Sequence, residues 1–322
     1  MEENKVELAK YNLSKDEIKR LYEINFKKSS KNVSITSLSG GVESAVYLVN
    51  DNGFKCVLKV APKEEMGTIS ADKNTLNWEV KMLNLMESIS FPSPKVLSFD
   101  DTCKYCDVPY FFMTYIEGDN YLEIKNSLTK SDIETIEYEL GILSSKICAI
   151  KSNTFYLPSN PNLTFNNNYD FVVYLFELLL KDAVDNNLDL GENVFNIIRQ
   201  LLSEKKELIN NISNLCLCHT DIWDGNIIIK DGHISGIVDF SDLYYCDELM
   251  TFYFHTIDGK TSKSFLKGFG KNSLNYDEKV RIEIYRMYVI LKMIVECKLK
   301  NYGKFNWMYV NLSERINNLQ CK

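Results

Sequence analysis

The sequence predicts an α+β protein of two lobes, an antiparallel β-sheet lobe with one packed helix and then a larger helical lobe. Two observations carry this prediction. Short strand patterns at 33–60 and 91–118 flank a helical stripe at 74–86, and helical periodicity dominates after residue 118. The 322 residues suffice for two lobes with a substantial core. The predicted divisions are a first lobe at 1–113, a hinge at 114–118 and a second lobe at 119–322.

The elements of the first lobe have local signals. Ser14 can cap a helix over 14–27, whose apolar residues recur at helical spacing. Asn52-Gly53 favours the positive φ angles of a two-residue turn, so two antiparallel strands should flank it. Leu76, at the start of the 74–86 stripe, begins the face that packs on the sheet.

The second lobe is predicted to be mainly helical. The expected helices span about 119–150, 169–186, 192–213 and 281–299, with a hairpin within 216–240. The most apolar run, 171–180, is about half the length of a membrane span and contains Glu177, so it predicts a buried helix.

Composition excludes some classes of protein. A formal net charge of -7 argues against a nucleic-acid-binding surface and is compatible with a cationic ligand. The first residues do not resemble a secretory signal, and nine cysteines point to reduced thiols. We therefore expect a cytoplasmic protein without membrane or nucleic-acid partners; the sequence does not indicate an oligomeric state.

A zinc site is the alternative for some of the cysteines. Cys103 and Cys106 have the spacing of one zinc knuckle, and Cys216, Cys218 and His219 would have to complete it from a distant segment. Buried thiols are the favoured interpretation, because zinc sites usually pair two close-spaced knuckles.

One loop and one hairpin gather the residues that carry chemistry. Asp221 and Asn226 lie in HTDIWDGN, and an Asp231-Gly232 turn joins two short strands that bring Asp239 back toward Asn226. Phosphoryl transfer needs such a set: one carboxylate accepts the proton of the attacking hydroxyl, and an amide oxygen and a second carboxylate hold Mg²⁺.

Spacing and order give a family resemblance. The sequence resembles the aminoglycoside phosphotransferase and choline kinase family in three features. His219 lies two residues before Asp221, four residues separate Asp221 from Asn226, and a predicted strand ends in Asp239. The resemblance implies a protein-kinase-like fold and an ATP-dependent, or GTP-dependent, small-molecule kinase. Asp221 would be the catalytic base, and Asn226 and Asp239 the magnesium ligands.

The resemblance also implies a nucleotide site in the first lobe. Lys59 would hold the phosphates and Glu79 would be its ion-pair partner. Main-chain groups of Thr114 and Ile116 would form hydrogen bonds with the nucleotide base, and Met113 would line the pocket behind the base. The residues expected to cover the nucleotide are Ser39, Gly40, Gly41 and Ser44.

The acceptor, the molecule that receives the phosphate, would lie beside the catalytic loop. The residues expected to contact it are Trp223, Asp224, Asp242, Asp247 and Glu248. Carboxylates suit the ammonium groups of an aminosugar, whereas Trp223, Tyr244 and Tyr245 would suit a quaternary ammonium. It is equally expected that Asp247 caps a helix and that the tyrosines pack. An aminoglycoside, and hence antibiotic resistance, is the first expectation; choline or another amino alcohol is the second, and a sugar or ketoamine stays open.

The sequence departs from the family pattern at a few positions. Ile147-Cys148 stands where many relatives have Leu-His, Thr220 where glycine is frequent, and Ser241 where glycine or tryptophan is usual. None of these removes a group that the chemistry needs. An inactive, nucleotide-binding relative is the alternative of another class, and the presence of all the catalytic residues argues against it.

Overall fold

The structure is a computed structural model that describes residues 10–38, 44–63, 67–73, 75–252 and 261–321. It consists of a β-sheet lobe with packed helices, followed by a larger, mainly helical lobe. The predicted α+β, two-lobed fold class is confirmed.

The first lobe is built on one five-stranded antiparallel sheet with the strand order β1-β2-β3-β5-β4. Its elements are α1 (Lys15–Phe26), β1 (Val33–Ser37), β2 (Ala45–Asp51), β3 (Phe54–Val60), α2 (Thr75–Ser88), β4 (Val96–Asp100) and β5 (Tyr110–Thr114).

Local sequence explains where these elements begin and turn. The Ser14 hydroxyl accepts a hydrogen bond from the Glu17 N–H (3.3 Å), and Glu17 accepts one from the Ser14 N–H (2.7 Å), which forms a capping box at the start of α1. Asn52 and Gly53 have φ angles of 50° and 97°, so the predicted tight turn joins β2 and β3. Lys59 lies near the end of β3 in consequence, on the central strand of the sheet.

The second lobe contains helices and two small sheets, β6-β8-β9 and β7-β10. Its elements are β6 (Asp119–Asn120), α3 (Tyr121–Ile124), α4 (Lys130–Cys148), α5 (Asn168–Asp185), α6 (Val194–Glu204), α7 (Lys206–Asn210), β7 (Leu215–His219), β8 (Ile227–Lys230), β9 (His233–Ile237), β10 (Leu243–Asp247), α8 (Lys263–Phe269), α9 (Tyr276–Leu299) and α10 (Asn306–Gln320). The predicted β8-β9 hairpin turns at Asp231 and Gly232 (φ 53° and 81°), whereas β10, which pairs with β7, was not predicted.

The lobes meet closely where residues 115–118 connect β5 to β6. Gly118 has φ 142°, and a Cβ there would lie 2.4 Å from the carbonyl oxygen of Ile229. A larger residue would therefore have to displace the backbone of the hairpin. This approach places the β8-β9 hairpin against the connection between the lobes.

A second set of contacts joins the lobes through the connection between β3 and α2. The N–H and hydroxyl of Ser70 donate to Asp182 on α5 (2.9 and 2.6 Å), and Asp72 forms an ion pair with Lys292 on α9 (3.0 Å). The indole N–H of Trp78 on α2 also donates to a main-chain carbonyl of the second lobe (2.9 Å). The first lobe is thus attached to the second by these contacts as well as through residues 115–118.

The predicted buried run at 171–180 lies within α5, and most of its apolar side chains are buried. Among the helices of the described residues, none has both the length and the apolar character that crossing a bilayer requires.

The two halves of the zinc site considered from the sequence, Cys103 with Cys106 and Cys216 with Cys218, do not come together. Where the chain is described, the cysteine sulfurs that cluster, within 4.8 Å of one another, belong to Cys148, Cys216 and Cys218, without Cys103 or Cys106. Cys103 is exposed, whereas the three clustered thiols are buried.

Candidate active site

The loop at residues 220–226 follows β7 and is fixed at both ends. The N–H and hydroxyl of Thr220 both donate to the carbonyl oxygen of Asp242 (2.8 Å each), which anchors the residue before Asp221. The side-chain amide of Asn226 donates to the carbonyl of Asp221 (2.8 Å) and to its carboxylate (2.9 Å). Asp221 and Asn226 are therefore held together, as the spacing predicted.

His219 supports this loop as a neutral ring. Its Nδ1 accepts a hydrogen bond from the N–H of Asp221 (3.2 Å), and its ring packs on Phe240 with the centroids 5.1 Å apart. Burial lowers the pKa of His219 to about 4, so the imidazole carries no charge near neutral pH. The ring is suited to brace the loop rather than to transfer protons.

Asp239 follows β9 in a backbone conformation that is uncommon for a residue with a side chain. Its φ is 65°, and its carboxylate accepts hydrogen bonds from Lys59 (2.8 Å) and from the hydroxyl of Ser241 (2.8 Å). Burial alone would raise the pKa of Asp239, but the charge of Lys59 outweighs it and lowers the pKa to about 2. Asp239 is therefore ionised throughout the ordinary pH range.

Lys59 is buried between two carboxylates. Its ammonium lies 2.7 Å from Oε2 and 2.9 Å from Oε1 of Glu79, and Glu79 also accepts a hydrogen bond from the N–H of Phe240 (3.2 Å). Burial lowers the pKa of Lys59, but the charges of Asp239 and Glu79 outweigh burial and raise it. The sequence-predicted pair Lys59 and Glu79 is thus brought together, and Asp239 joins it from the second lobe.

The environment of Asp221 favours a proton acceptor. Burial raises its pKa well above the usual range, and the negative charges of Asp242 and Asp239 raise it further. A carboxylate with a raised pKa is a stronger base than an exposed aspartate, which suits the removal of a proton from a hydroxyl.

Two oxygens near Asp221 suit a magnesium ion. In the described part of the chain, the side-chain oxygen of Asn226 accepts no hydrogen bond, and Oδ2 of Asp239 accepts none either, since Lys59 and Ser241 contact Oδ1. Mg²⁺ prefers few hard oxygen ligands from protein, with water and phosphate completing its shell. The donor set fits such an ion.

Lys59, Glu79, Asp221, Asn226 and Asp239 line one cleft of about 1670 Å³ between the lobes. It exceeds the usual volume of a site for one small ligand, roughly 300–1,000 Å³, so it has room for two substrates. The sequence-predicted nucleotide residues that line it are Ser44, Lys59, Glu79, Met113, Thr114 and Ile116. The other three, Ser39, Gly40 and Gly41, lie outside the described residues.

Three of the five predicted acceptor residues, Trp223, Asp224 and Asp242, line the cleft. Both aspartates already have cationic partners in the chain. Asp224 pairs with Lys125 (2.7 Å) and Asp242 with Lys292 (3.0 Å).

Asp247 and Glu248 do not line the cleft, so the expectation that they contact the acceptor is not met. Asp247 is fully buried, and its carboxylate bonds to Arg281 and to the hydroxyl of Tyr285 (2.8 Å each). Glu248, also buried, pairs with Lys271 (2.9 Å). Asp247 ends strand β10 and Glu248 follows it; both side chains are buried in the lobe, where Asp247 anchors α9 through Arg281.

Sequence reasoning missed some polar residues of the cleft. Lys292 lies within the apolar stretch VILKMIV of α9 and lines the cleft. A lysine inside a buried apolar helix is a signal in the sequence that indicates a functional or ion-paired side chain. Tyr121, Lys125 and Glu137 also line the cleft, but no spacing or motif distinguishes them in the sequence.

Comparison with known proteins gives a family. The model of the phosphotransferase enzyme family matches residues 34–277, which is more than half of the chain. A search of curated protein sequences returned no match.

Solved structures resemble the chain over nearly its full length. Aminoglycoside phosphotransferase APH(2'')-Ib with bound ADP is 17% identical, with a TM-score of 0.63 over 94% of this chain and 97% of the other. A mutant of aminoglycoside phosphotransferase APH(4)-Ia, in complex with AMP-PNP and hygromycin B, is 14% identical, with a TM-score of 0.66 over 93% and 98%. A putative fructosamine-3-kinase from Haemophilus somnus 129PT is 14% identical, with a TM-score of 0.68 over 94% and 96%. At these identities, the likeness shows the fold.

Proposed function

The chain belongs to the phosphotransferase enzyme family and is a small-molecule kinase, and we propose that it transfers the γ-phosphate of ATP to a hydroxyl group of its acceptor. The observation that carries the proposal is the arrangement in one cleft of Asp221 bonded to Asn226, beside Lys59 bonded to Glu79 and Asp239. GTP is the alternative donor.

Each group has a role in this reaction. Asp221 orients the acceptor hydroxyl and takes its proton as the oxygen attacks phosphorus. Lys59 contacts the phosphates, and Glu79 holds Lys59 in place. Asn226 and Asp239 would bind Mg²⁺, which neutralises phosphate charge when it is bound.

For the acceptor, we propose first an aminoglycoside-type molecule. The similar structures include complexes of aminoglycoside phosphotransferases with streptomycin, gentamicin and hygromycin B. The cleft of this chain is also lined by more carboxylates than cations, which favours a cationic molecule.

A second candidate is a less cationic sugar, such as a ketoamine. The observation that favours it is the neutralisation of Asp224 by Lys125 and of Asp242 by Lys292, which reduces the negative charge available to a polyamine. The likeness to a putative fructosamine-3-kinase agrees with this candidate.

The test is release of ADP from ATP, or of GDP from GTP, by the purified chain with Mg²⁺. The acceptors would be kanamycin, gentamicin, hygromycin B, choline and a fructosyl-amine. We expect acceptor-dependent turnover that disappears in Asp221→Asn and after chelation of Mg²⁺. Stabilisation by nucleotide without turnover on any acceptor would instead identify a nucleotide-binding relative.

A further inference from the structure

The ion pairs of the predicted acceptor carboxylates differ in how far solvent reaches them. The Asp247–Arg281 pair has side-chain exposures of 0% and 2%, and the Asp242–Lys292 pair 17% and 18%. By contrast, Lys125 is 38% exposed and its partner Asp224 is 27% exposed. An exposed ion pair contributes little net stability, so a ligand cation can replace Lys125 at small cost.

The ammonium of Lys125 has a second neighbour, which is an aromatic ring. It lies 2.7 Å from Oδ2 of Asp224 and 5.2 Å from the ring centroid of Tyr121. A carboxylate beside an aromatic face is a combination that binds alkylammonium groups, by charge and by cation–π attraction. The position of the Lys125 ammonium thus shows that the site formed by Asp224 and the ring of Tyr121 holds a cation.

The hydroxyl of Tyr121 is available for a further contact at the same place. Tyr121 is 2% exposed, and within the described residues its hydroxyl has no hydrogen-bond partner. Burial raises the pKa of Tyr121, and the charges of Asp224 and Glu137 raise it further. A buried hydroxyl without a partner is costly, which suggests that a ligand supplies the missing bond.

This place adjoins the catalytic loop. The side chain of Asn120 donates to the carbonyl of Gly225 (2.7 Å), which fixes the start of α3 against the turn at 224–226. Tyr121, Lys125 and Asp224 all line the cleft that contains the proposed base. An acceptor whose hydroxyl reaches that base can therefore extend to this site.

We propose that the Lys125 ammonium occupies the site of an acceptor ammonium group and is displaced when the acceptor binds. An ammonium group of an aminated, hydroxylated acceptor takes its place on Asp224 over the ring of Tyr121, and the Tyr121 hydroxyl bonds to the same molecule. The proposal rests on the proposed function and deepens it, because it names the acceptor class as an amine and assigns its ammonium to this site.

The first test measures kanamycin binding to the full chain by calorimetry. It compares two variants whose affinities for kanamycin should change in opposite directions. Lys125→Met removes the competing cation, so kanamycin should bind roughly three- to tenfold more tightly, whereas Asp224→Asn should weaken binding about tenfold. Lys55 is a matched control: it is 35% exposed, lies 2.9 Å from Glu117 and 5.0 Å from the ring centroid of Tyr115. Lys55→Met should leave the affinity unchanged.

The second test removes only the hydroxyl. Tyr121→Phe should weaken kanamycin binding severalfold without lowering the melting temperature, because the hydroxyl has no hydrogen-bond partner among the described residues. Tyr288→Phe is the control, since its hydroxyl is also buried without a partner among the described residues, but Tyr288 does not line the cleft.

Each other outcome overturns the proposal. Weaker or unchanged binding in Lys125→Met would make Lys125 an ordinary contact or a bystander. A raised KM for ATP in Tyr121→Phe, with kanamycin affinity unchanged, would assign the site to the nucleotide. Absence of kanamycin, gentamicin and choline binding by the wild type would exclude an ammonium site. Mg²⁺-dependent ATP binding and slow ATP hydrolysis, measured in parallel, report separately on the proposed function.

Discussion

Replacement of Lys59 by methionine should separate stability from activity at the centre of the cleft. Lys59 is the cation between Glu79, which is 1% exposed, and Asp239, whose side chain is 29% exposed. After Lys59→Met, water can reach Asp239, but within the described part of the chain Glu79 keeps only the N–H of Phe240 as a partner. The loss of stability should therefore come mainly from Glu79.

Removal of one partner from a buried ion pair costs about 3–5 kcal/mol, and the remaining hydrogen bond places Lys59→Met near the lower end, at about 3 kcal/mol. At roughly 2 °C per kcal/mol for a chain of this size, the melting temperature should fall by about 6 °C. The double variant Lys59→Met/Glu79→Met also removes the stranded carboxylate, so it should lie within about 2 °C of the wild type.

The assays are thermal unfolding and ADP release on the same samples. Both variants should lose at least about a hundredfold in kcat/KM, the order expected when one preorganised charge is removed from the reacting group. Lys55→Met, on the same strand but in an exposed pair, should change neither quantity. A double variant as unstable as Lys59→Met, or a single variant with normal turnover, would refute the reasoning.

Three further predictions concern other parts of the molecule. Asp221→Ala should lower kcat by about 10²–10⁴ with nucleotide affinity kept, as seen by single-turnover kinetics; near-normal turnover would contradict its role as base. Gly118→Ala should destabilise by about 2 kcal/mol or more in urea unfolding, because its Cβ would lie 2.4 Å from a carbonyl oxygen, whereas Gly53→Ala, in open space, should cost less. A thiol reagent should label the exposed Cys103 and Cys321 quickly at pH 7 and the buried Cys148, Cys216 and Cys218 slowly, since the hydrogen bond with Cys148 raises the pKa of Cys216 and burial raises that of Cys218; rapid labelling of the buried thiols, measured by peptide mapping, would contradict the packing.

Sequence predicted the parts of the fold that short-range signals determine. The capping box at Ser14 and the turns at Asn52-Gly53 and Asp231-Gly232 are local, and each forms where the sequence placed it. The pairing of Asp221 with Asn226 also lay within reach, because both residues belong to one short loop.

The acceptor side could not be predicted in the same way, because its charges are balanced by residues far along the chain. From the sequence, Asp247 was expected to contact the acceptor. In the structure it lies at the end of strand β10, is buried, and forms an ion pair with Arg281 of α9. The partner of Asp224, Lys125, likewise comes from another element, just after α3. Tertiary packing determines which residues of distant segments form ion pairs. Periodicity and spacing describe only neighbours along one element, so they do not predict these pairs.

The contacts of Ser70 and Asp72 have a consequence for how the enzyme can turn over. A wide swing of the lobes about residues 115–118 would break the bonds of Ser70 to Asp182 and of Asp72 to Lys292. Small sliding movements of the two lobes preserve these bonds better than a wide rotation does. Product escape should accordingly proceed by a modest shear of the lobes, with the β3-α2 connection remaining on α5 and α9.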